Sequence, residues 1–288
     1  MKGIFLGLFT KKRIDYLKET FTANGIEMDR ISSAELDKQI QNGKLIRPLS
    51  QYWDFCVLGV LSSAQQTKIC NMLTEDGVRL FNTVSATNIC KNKWITYRTL
   101  LEHNIPQMKT CATYYDFTRN EFDNNKTVVK PRLGKQGKDI FICANKSEVL
   151  AATQKLKSKR ETFIIQKFCE TANNRIVRVY CIRDKGVGGY VAFNPNSCIV
   201  NLAQEATRID EEIPQSFIAL AEKAARIVGT DLCAVDLLYG ENGSPIVCEI
   251  NSMPGLGRQT AESGGLNLAQ LFVEHIINEI LKNKNIEV

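Results

Sequence analysis

With 288 residues, the chain is long enough for two or three compact modules, each with its own core. It is 44% hydrophobic and 24% charged, with a formal net charge of +6. The lysines and arginines are scattered and form no arms or long runs, which excludes a nucleic-acid-binding chain. No run approaches the ~18 apolar residues of a membrane span, so no membrane partner is expected. Ten cysteines are present, yet no two lie within ten positions of each other, which removes every Cys-x-x-Cys zinc or redox pattern. Most sit in apolar strings, such as Cys56 in Phe-Cys-Val-Leu, and read as reduced, buried thiols of a cytoplasmic protein. The opening stretch from Met1 to Phe9 is too short for a signal sequence and reads as a first strand.

In chain order, residues 1–90 alternate strand and helix signals. Gly3–Phe9 is a continuous apolar strand, Lys12–Ala23 an amphipathic helix, and Trp53–Val60 a second buried strand. Ser62–Thr74 reads as helix, Val78–Phe81 as a short strand, and the polar stretch Ile40–Gln51 as a loop. Such alternation predicts parallel strands joined by crossover helices. A helix is predicted from Lys91 to His103, closed by Asn104 and Pro106. Strands follow at Lys109–Tyr114, Thr127–Pro131, Ile140–Ala144 and Phe163–Phe168, with a helix at Ser147–Leu156 among them. Further strands, Ile176–Ile182 and Val187–Phe193, turn at Asp184-Lys185-Gly186. Helix Pro214–Val228 carries Phe217, Leu220, Ala221, Ala224, Ile227 and Val228 on one stripe. A hairpin and a helix, Asn267–Lys282, complete the series.

That hairpin carries the clearest chemistry. Asn242-Gly243 is the favoured two-residue type I′ turn. With it at the tip, Asp236 faces Glu249, and Asn251 follows on the same face two residues later. Like charges opposed across strands are unfavourable, and the flanking residues are apolar, so something cationic should sit between the carboxylates. An oxygen-only donor set without histidine selects magnesium, with manganese as the alternative. A solvent-facing polar side of a half-buried hairpin would present the same residues. Lys130 ends the apolar strand Thr127-Val128-Val129, and a Gly-rich cationic loop from Arg132 to Lys138 follows. Such a loop can close over phosphates with its N–H groups, although a plain hairpin loop would look alike. Arg178 stands among apolar residues in Ile176-Val177-Arg178-Val179-Tyr180, which points to a buried anionic partner or a salt bridge. The stretch from Gly186 to Gly189 reads as strand and turn, since no helix follows it. Both histidines, His103 and His275, read as structural.

The order of these pieces resembles the RimK-like branch of the ATP-grasp ligases, including the LysX enzymes that attach glutamate to a carrier protein. Asn92-Lys93-Trp94-Ile95-Thr96, Ile105-Pro106 and Lys109-Thr110 are similar to the family's linker helix and its exit. Val129-Lys130-Pro131 with the Gly134–Gly137 loop is similar to its phosphate-covering strand. Ile165-Gln166-Lys167-Phe168 sits where the adenine hinge lies, and Asp236, Glu249-Ile250-Asn251 and Pro254-Gly255-Leu256 match its metal-binding end. The likeness is strong over residues 91–275 and only architectural over 1–90.

The resemblance implies an α/β (α+β) ATP-grasp fold behind an N-terminal Rossmann-like domain. Its modules would be 1–90, 91–168 (linker helix and central subdomain) and 169–288 (C-terminal subdomain with the metal site), with ATP between the last two. It also implies that Lys93, Lys130, Gly134 and Gly137 contact nucleotide phosphates. Gln166, Lys167 and Phe168 would border adenine, and Glu170 would reach the ribose. Asp236, Glu249 and Asn251 would hold magnesium, while Arg178 and Asn201 would act in catalysis. The implied activity is carboxylate–amine ligation through an acyl phosphate. The substrates would be small-molecule, peptide or protein carboxylates and amines, and the chain is free to form a homo-oligomer. The alternatives are a cofactor glutamate ligase, a peptide-modifying maturase, or a non-catalytic ATP-binding regulator. Three departures stand out: Ile176 replaces the Asp of the family's Asp-Ile-Arg, Lys167 replaces the hinge Glu, and Gln204-Glu205-Ala206 replaces an Arg-Gly-Gly. Glutamate is therefore not carried over as a substrate.

Overall fold

The computed structural model describes residues 1–119, 126–134, 138–197, 200, 206–256 and 266–285. These form two compact units: one of residues 1–88, 229–233 and 252–288, the other of residues 89–228 and 234–251.

The first unit is a parallel sheet of order β2-β1-β3-β4, from Lys2–Leu6 (β1), Glu27–Arg30 (β2), Phe55–Leu58 (β3) and Arg79–Phe81 (β4). Crossovers run through Lys11–Ala23 (α1), Ser33–Gln41 (α2) and Ala64–Glu75 (α3), as the alternating pattern predicts. Strand β2 and helix α2 are absent from the sequence reading. Glu-Met-Asp-Arg buries only Met28, because β2 is an edge strand. Helix α2 announces itself through its cap, where the Ser32 hydroxyl accepts from the Glu35 N–H. The core gathers Ile4, Leu6, Leu36, Cys56, Leu58, Ile69, Leu73 and Leu80.

The last helix, Leu268–Asn285 (α9), clusters with this unit, although residues 252–288 read from sequence as part of the third module. Tyr16 and Asn24 of α1 hydrogen-bond Asn267 and Gln270, and Asp231, at 1% exposure, meets both Arg79 (2.9 Å) and His275 (3.5 Å). Buried Asn82 ties the discontinuous pieces of the unit together. Its amide donates to the Leu232 and Ser252 carbonyls (2.9 and 2.6 Å) and accepts from the Asp231 and Leu232 N–H groups. Replacing Asn82 by alanine is expected to cost about 2 kcal/mol, because buried backbone partners lose their bonds; urea unfolding measures it.

Helix Val84–Lys91 (α4) runs across the 88/89 boundary of the two units, and Lys93–Glu102 (α5) belongs to the second; the sequence predicted one helix from Lys91 to His103. Asn92 separates them, its side chain accepting from the Trp94 and Ile95 N–H groups. An antiparallel sheet of order β5-β8-β6-β7 follows, built from Thr110–Cys111 (β5), Thr127–Pro131 (β6), Phe141–Cys143 (β7) and Phe163–Lys167 (β8). Helices Tyr114–Arg119 (α6) and Lys146–Ser158 (α7) pack on it through Phe117, Val149 and Leu156, against Val129 and Ile165. Helix α6 occupies ground that the sequence reading gave partly to a strand.

The second sheet of this unit has the order β11-β10-β9-β12-β13, from Arg175–Ile182 (β9), Lys185–Phe193 (β10), Thr207–Ile209 (β11), Leu232–Tyr239 (β12) and Pro245–Asn251 (β13). Helix Gln215–Val228 (α8) covers one face with Phe217, Leu220, Ala221, Ala224 and Val228 of the predicted stripe, joined by Ala225, while Ile227 at the stripe's edge is only partly buried. Among the described residues, no helix is long and apolar enough to cross a membrane.

Candidate active site

The β12–β13 hairpin turns at Asn242-Gly243 as predicted, but through the longer loop 240–244 between Tyr239 and Pro245, not through a two-residue loop. Asn242 and Gly243 both take positive φ (55° and 73°), and the Ser244 N–H donates to the Glu241 carbonyl at 3.1 Å across them. Tyr239 pairs with Pro245 near the tip, and the register then shifts between Asp236 and Leu237. Leu237 faces Val247 while Asp236 faces Glu249, so Cys248 is the additional residue of a bulge. Beyond it, Ala234 faces Asn251. Thus Asp236, Glu249 and Asn251 meet as the sequence predicts.

The cations expected beside these carboxylates are supplied by the protein. Arg178 donates from Nε and Nη2 to the two oxygens of Asp236, each at 2.6 Å, and Asn251 Nδ2 donates to Asp236 Oδ2 at 3.2 Å. Burial pushes the Asp236 carboxyl up, against the pull of Arg178. Burial works equally against the Arg178 charge, but Asp236 outweighs it and raises the guanidinium above its usual value. The two short, parallel contacts hold the pair ionised. A close backbone approach fixes Arg178 from behind, since a Cβ on Gly189 would collide with the Arg178 carbonyl oxygen. Glu249 has its own cation: Lys93 Nζ lies 3.2 Å from Oε1 and also donates to the Gly134 carbonyl at 3.0 Å. Lys93 stands in the first turn of α5, placed by the Asn92 cap.

Beside Glu249 lies a pocket walled by α5, β6, β8 and β13, lined by Lys93, Tyr97, Lys130, Gln166, Cys248 and Glu249 among others. The exit of α5 closes its edge, because the Val247 N–H donates to the Pro106 carbonyl at 2.8 Å and Gln107 bridges to Val247. Lys130 is only 6% exposed, and among the described residues its ammonium has no hydrogen bond or ion pair. Gln166 is likewise buried and donates to Thr110 Oγ1 at 3.0 Å.

Over residues 90–276, well over half of the chain, the sequence matches the model of the RimK-like ATP-grasp domain. The chain belongs to the RimK-like ATP-grasp family. Beta-citrylglutamate synthase B of Mus musculus is 27% identical over 206 residues, which are 68% of this chain and 52% of that protein. The chain thus spans about half the length of this relative. The probable alpha-L-glutamate ligase of Mannheimia succiniciproducens is 24% identical over 75% of this chain and 74% of its own. Among solved structures, the ATP-grasp ligase PsnB complexed with a minimal precursor superposes with a TM-score of 0.72 at 15% identity, covering 96% of this chain and 98% of that one. The fold is that of the ATP-grasp ligases.

Against this ATP-grasp frame, the predicted residues fall into three groups. Lys93, Lys130, Gln166 and Glu249 share the pocket. Asp236, Asn251 and Arg178 form a hydrogen-bonded cluster beside Glu249 and do not themselves line the pocket. Lys167 and Phe168, at and just past the end of β8, donate their N–H groups to the Lys109 and Lys126 carbonyls, and Glu170 is 3.9 Å from Lys126. These three do not line the pocket. Gly134 meets Lys93, whereas Gly137 and Asn201 lie outside the described residues.

Sequence reasoning missed four groups here. Cys248 enters the pocket through the bulge. Tyr190 faces Arg178 in the β9–β10 register, and Tyr180 packs edge-on to it at 6.2 Å. The Arg208 guanidinium lies over the Tyr190 ring at 4.2 Å. Counting back from the Asp184 turn would have placed Tyr190 near Arg178. Nothing in the short strand Thr-Arg-Ile announces Arg208.

Proposed function

We propose that this protein is an ATP-dependent ligase that joins a carboxylate to an amine, releasing ADP and phosphate. One observation carries the reading: the buried ammonium of Lys130 faces a pocket without an anionic partner among the described residues, beside Lys93 and Glu249. An unpaired buried cation is costly unless a ligand supplies the counter-charge. A nucleotide polyphosphate has that charge. PsnB, which shares the fold, is known in complex with magnesium and ADP.

The donor set also fits a hard divalent cation. Asp236 and Glu249 offer carboxylate oxygens, and Asn251 turns its amide nitrogen to Asp236, leaving its carbonyl oxygen for a ligand. Among the described residues, no three His, Cys, Asp or Glu side chains group to hold a metal, so water and phosphate oxygens would have to complete the ion's shell. When bound, magnesium would neutralise charge on the transferring phosphoryl group.

The chain's own groups have separable tasks in this reading. Lys93 and Lys130 hold phosphate oxygens, and Gln166 borders the base. Lys167, Phe168 and Glu170 form the end of the hinge. Arg178 positions Asp236 and presents positive charge towards the acyl group, and the loop containing Gly134 and Gly137 shields it from water. Asn201, outside the described residues, keeps the catalytic role that the family resemblance implies. ATP would lie between the sheet of β5–β8 and that of β9–β13, within the segments 91–168 and 169–251. Amino acids and peptides are the proposed carboxylates and amines.

Incubation with MgATP and a panel of amino acids and peptides tests this. Stoichiometric ADP and phosphate, appearing only with a competent pair, is the expected result. AMP and pyrophosphate as products would overturn the mechanism. Tight ATP binding without turnover on any pair would make the protein a nucleotide-binding regulator.

A further inference from the structure

Two buried polar side chains in the second unit are joined by hydrogen bonds whose direction the chemistry fixes. Thr110 of β5 and Gln166 of β8 are cross-strand partners, 6% and 9% exposed. The Thr110 hydroxyl donates to the Met108 carbonyl at 2.8 Å. A hydroxyl has one proton, so Thr110 Oγ1 can only accept from Gln166, and the amide atom 3.0 Å away must be Nε2. Gln166 Oε1 therefore turns away from Thr110. It has no hydrogen bond among the described residues and is not sealed from solvent, and the cavity that Gln166 lines is the pocket. Lys130 pairs with Ile164, so Gln166 stands two residues further along the same face of β8, about 7 Å away. With phosphate at Lys130, this amide meets the base.

We propose that Thr110 is a positioning residue that locks the Gln166 amide with its oxygen towards the base, so that the site selects purines with a 6-amino group over those with a 6-keto group. The proposal rests on the nucleotide reading of this pocket. Oε1 accepts from the 6-amino group of adenine, whereas the 6-keto oxygen of hypoxanthine or guanine would set two acceptors against each other. A free amide would escape that clash by rotating half a turn and offering Nε2. Here the rotation would bring Oε1 against Thr110 Oγ1, whose proton is committed to the Met108 carbonyl. The selectivity thus belongs to the chain of bonds anchored at Met108, and not to Gln166 alone.

Calorimetry of the full chain with MgADP and with MgIDP, whose bases differ at purine position 6, gives an affinity ratio as the readout. A ratio of at least ten in favour of ADP is expected for the wild type. Thr110→Val keeps the β-branched shape and removes the hydroxyl. It should lower the ratio at least fivefold, mostly through tighter IDP binding by the released amide. Thr110→Ser restores the hydroxyl and should restore the ratio. Gln166→Leu removes the amide itself and should also lower the ratio at least fivefold. Should Thr110→Val fail to fold, Thr110→Ala takes its place. A wild-type ratio below ten, or a fall of less than fivefold in Gln166→Leu or in the hydroxyl-free variant, overturns the proposal. So does a Thr110→Ser ratio as low as that of the hydroxyl-free variant. Equal weakening of both nucleotides on loss of the hydroxyl leaves Thr110 a purely structural residue and also overturns it. Failure of the wild type to bind either nucleotide overturns the nucleotide reading and this proposal together. Tight ADP binding without preference over IDP overturns the proposal alone.

Discussion

Lys130→Met should weaken MgATP binding by ten- to a hundredfold and raise the melting temperature of the nucleotide-free protein. Lys130 is 6% exposed at the end of β6, in register with Ile164 of β8, and its ammonium has no partner among the described residues. Folding therefore strips its water without a direct ion pair among the described residues in return. Methionine keeps the unbranched length and removes the charge, so the desolvation penalty goes while the packing stays. A gain on the order of 1 kcal/mol corresponds to about 2 °C for a chain of this size. With nucleotide bound, the same ammonium would meet phosphate in a desolvated site, a charge-assisted contact of about 1.5–3 kcal/mol. Calorimetry and thermal melting of one variant test both halves. Unchanged affinity would remove Lys130 from the site, and a lower melting temperature would mean that its charge has structural work elsewhere.

Much of this site was legible in the sequence because hairpin geometry is local. Asn242-Gly243 marks the turn, but the strands pair next to it one residue off the two-residue register, and the bulge at Cys248 brings Asp236 back opposite Glu249, where the count puts it. The parallel order of the first sheet was legible for a similar reason, since apolar runs alternating with helical stripes admit few topologies. Where the signal was weak, chain context decided. Strand β2 is mostly charged and belongs to an edge, so its pairing with β1 leaves almost no mark on its composition. Helix α4 was missed, and the helix read from Lys91 ran through Asn92 because that residue can serve either as interior residue or as cap. Cross-strand partners from distant segments were also illegible. The Arg178–Asp236 pair joins residues 58 apart, and Lys93–Glu249 joins the first turn of a helix to a strand from the far end of the unit. The sequence could require cations near the carboxylates but could not tell a metal from an arginine. Cys248 was hidden for a different reason: a bulge breaks the alternation from which the faces are counted.

Those distant pairs give the two hairpin carboxylates opposite structural consequences but the same expected effect on turnover. Asp236→Asn leaves Arg178 with a neutral partner in a site where Asp236 itself is 5% exposed. Breaking such a pair from one side should cost about 3 kcal/mol, the low end for buried pairs, because the Arg178 side chain keeps 28% of its exposure. Glu249→Gln removes a more solvated contact, with side chains 12% and 29% exposed for Lys93 and Glu249, worth about 1 kcal/mol or less. It also removes the charge that pushes against Asp236, which offsets part of that loss. Apo stability should therefore drop clearly in Asp236→Asn and stay within about 1 kcal/mol of wild type in Glu249→Gln. Turnover should vanish in both, because each substitution takes a charged oxygen from the proposed magnesium site while leaving the amide-bearing Asn251 in place. Urea unfolding without nucleotide and ADP release at saturating magnesium separate the two effects. If Glu249→Gln keeps its turnover, Glu249 is a partner for Lys93 and not a metal ligand. If Asp236→Asn is as stable as wild type, Arg178 has another anion to turn to, and the hairpin cluster does not hold the site together.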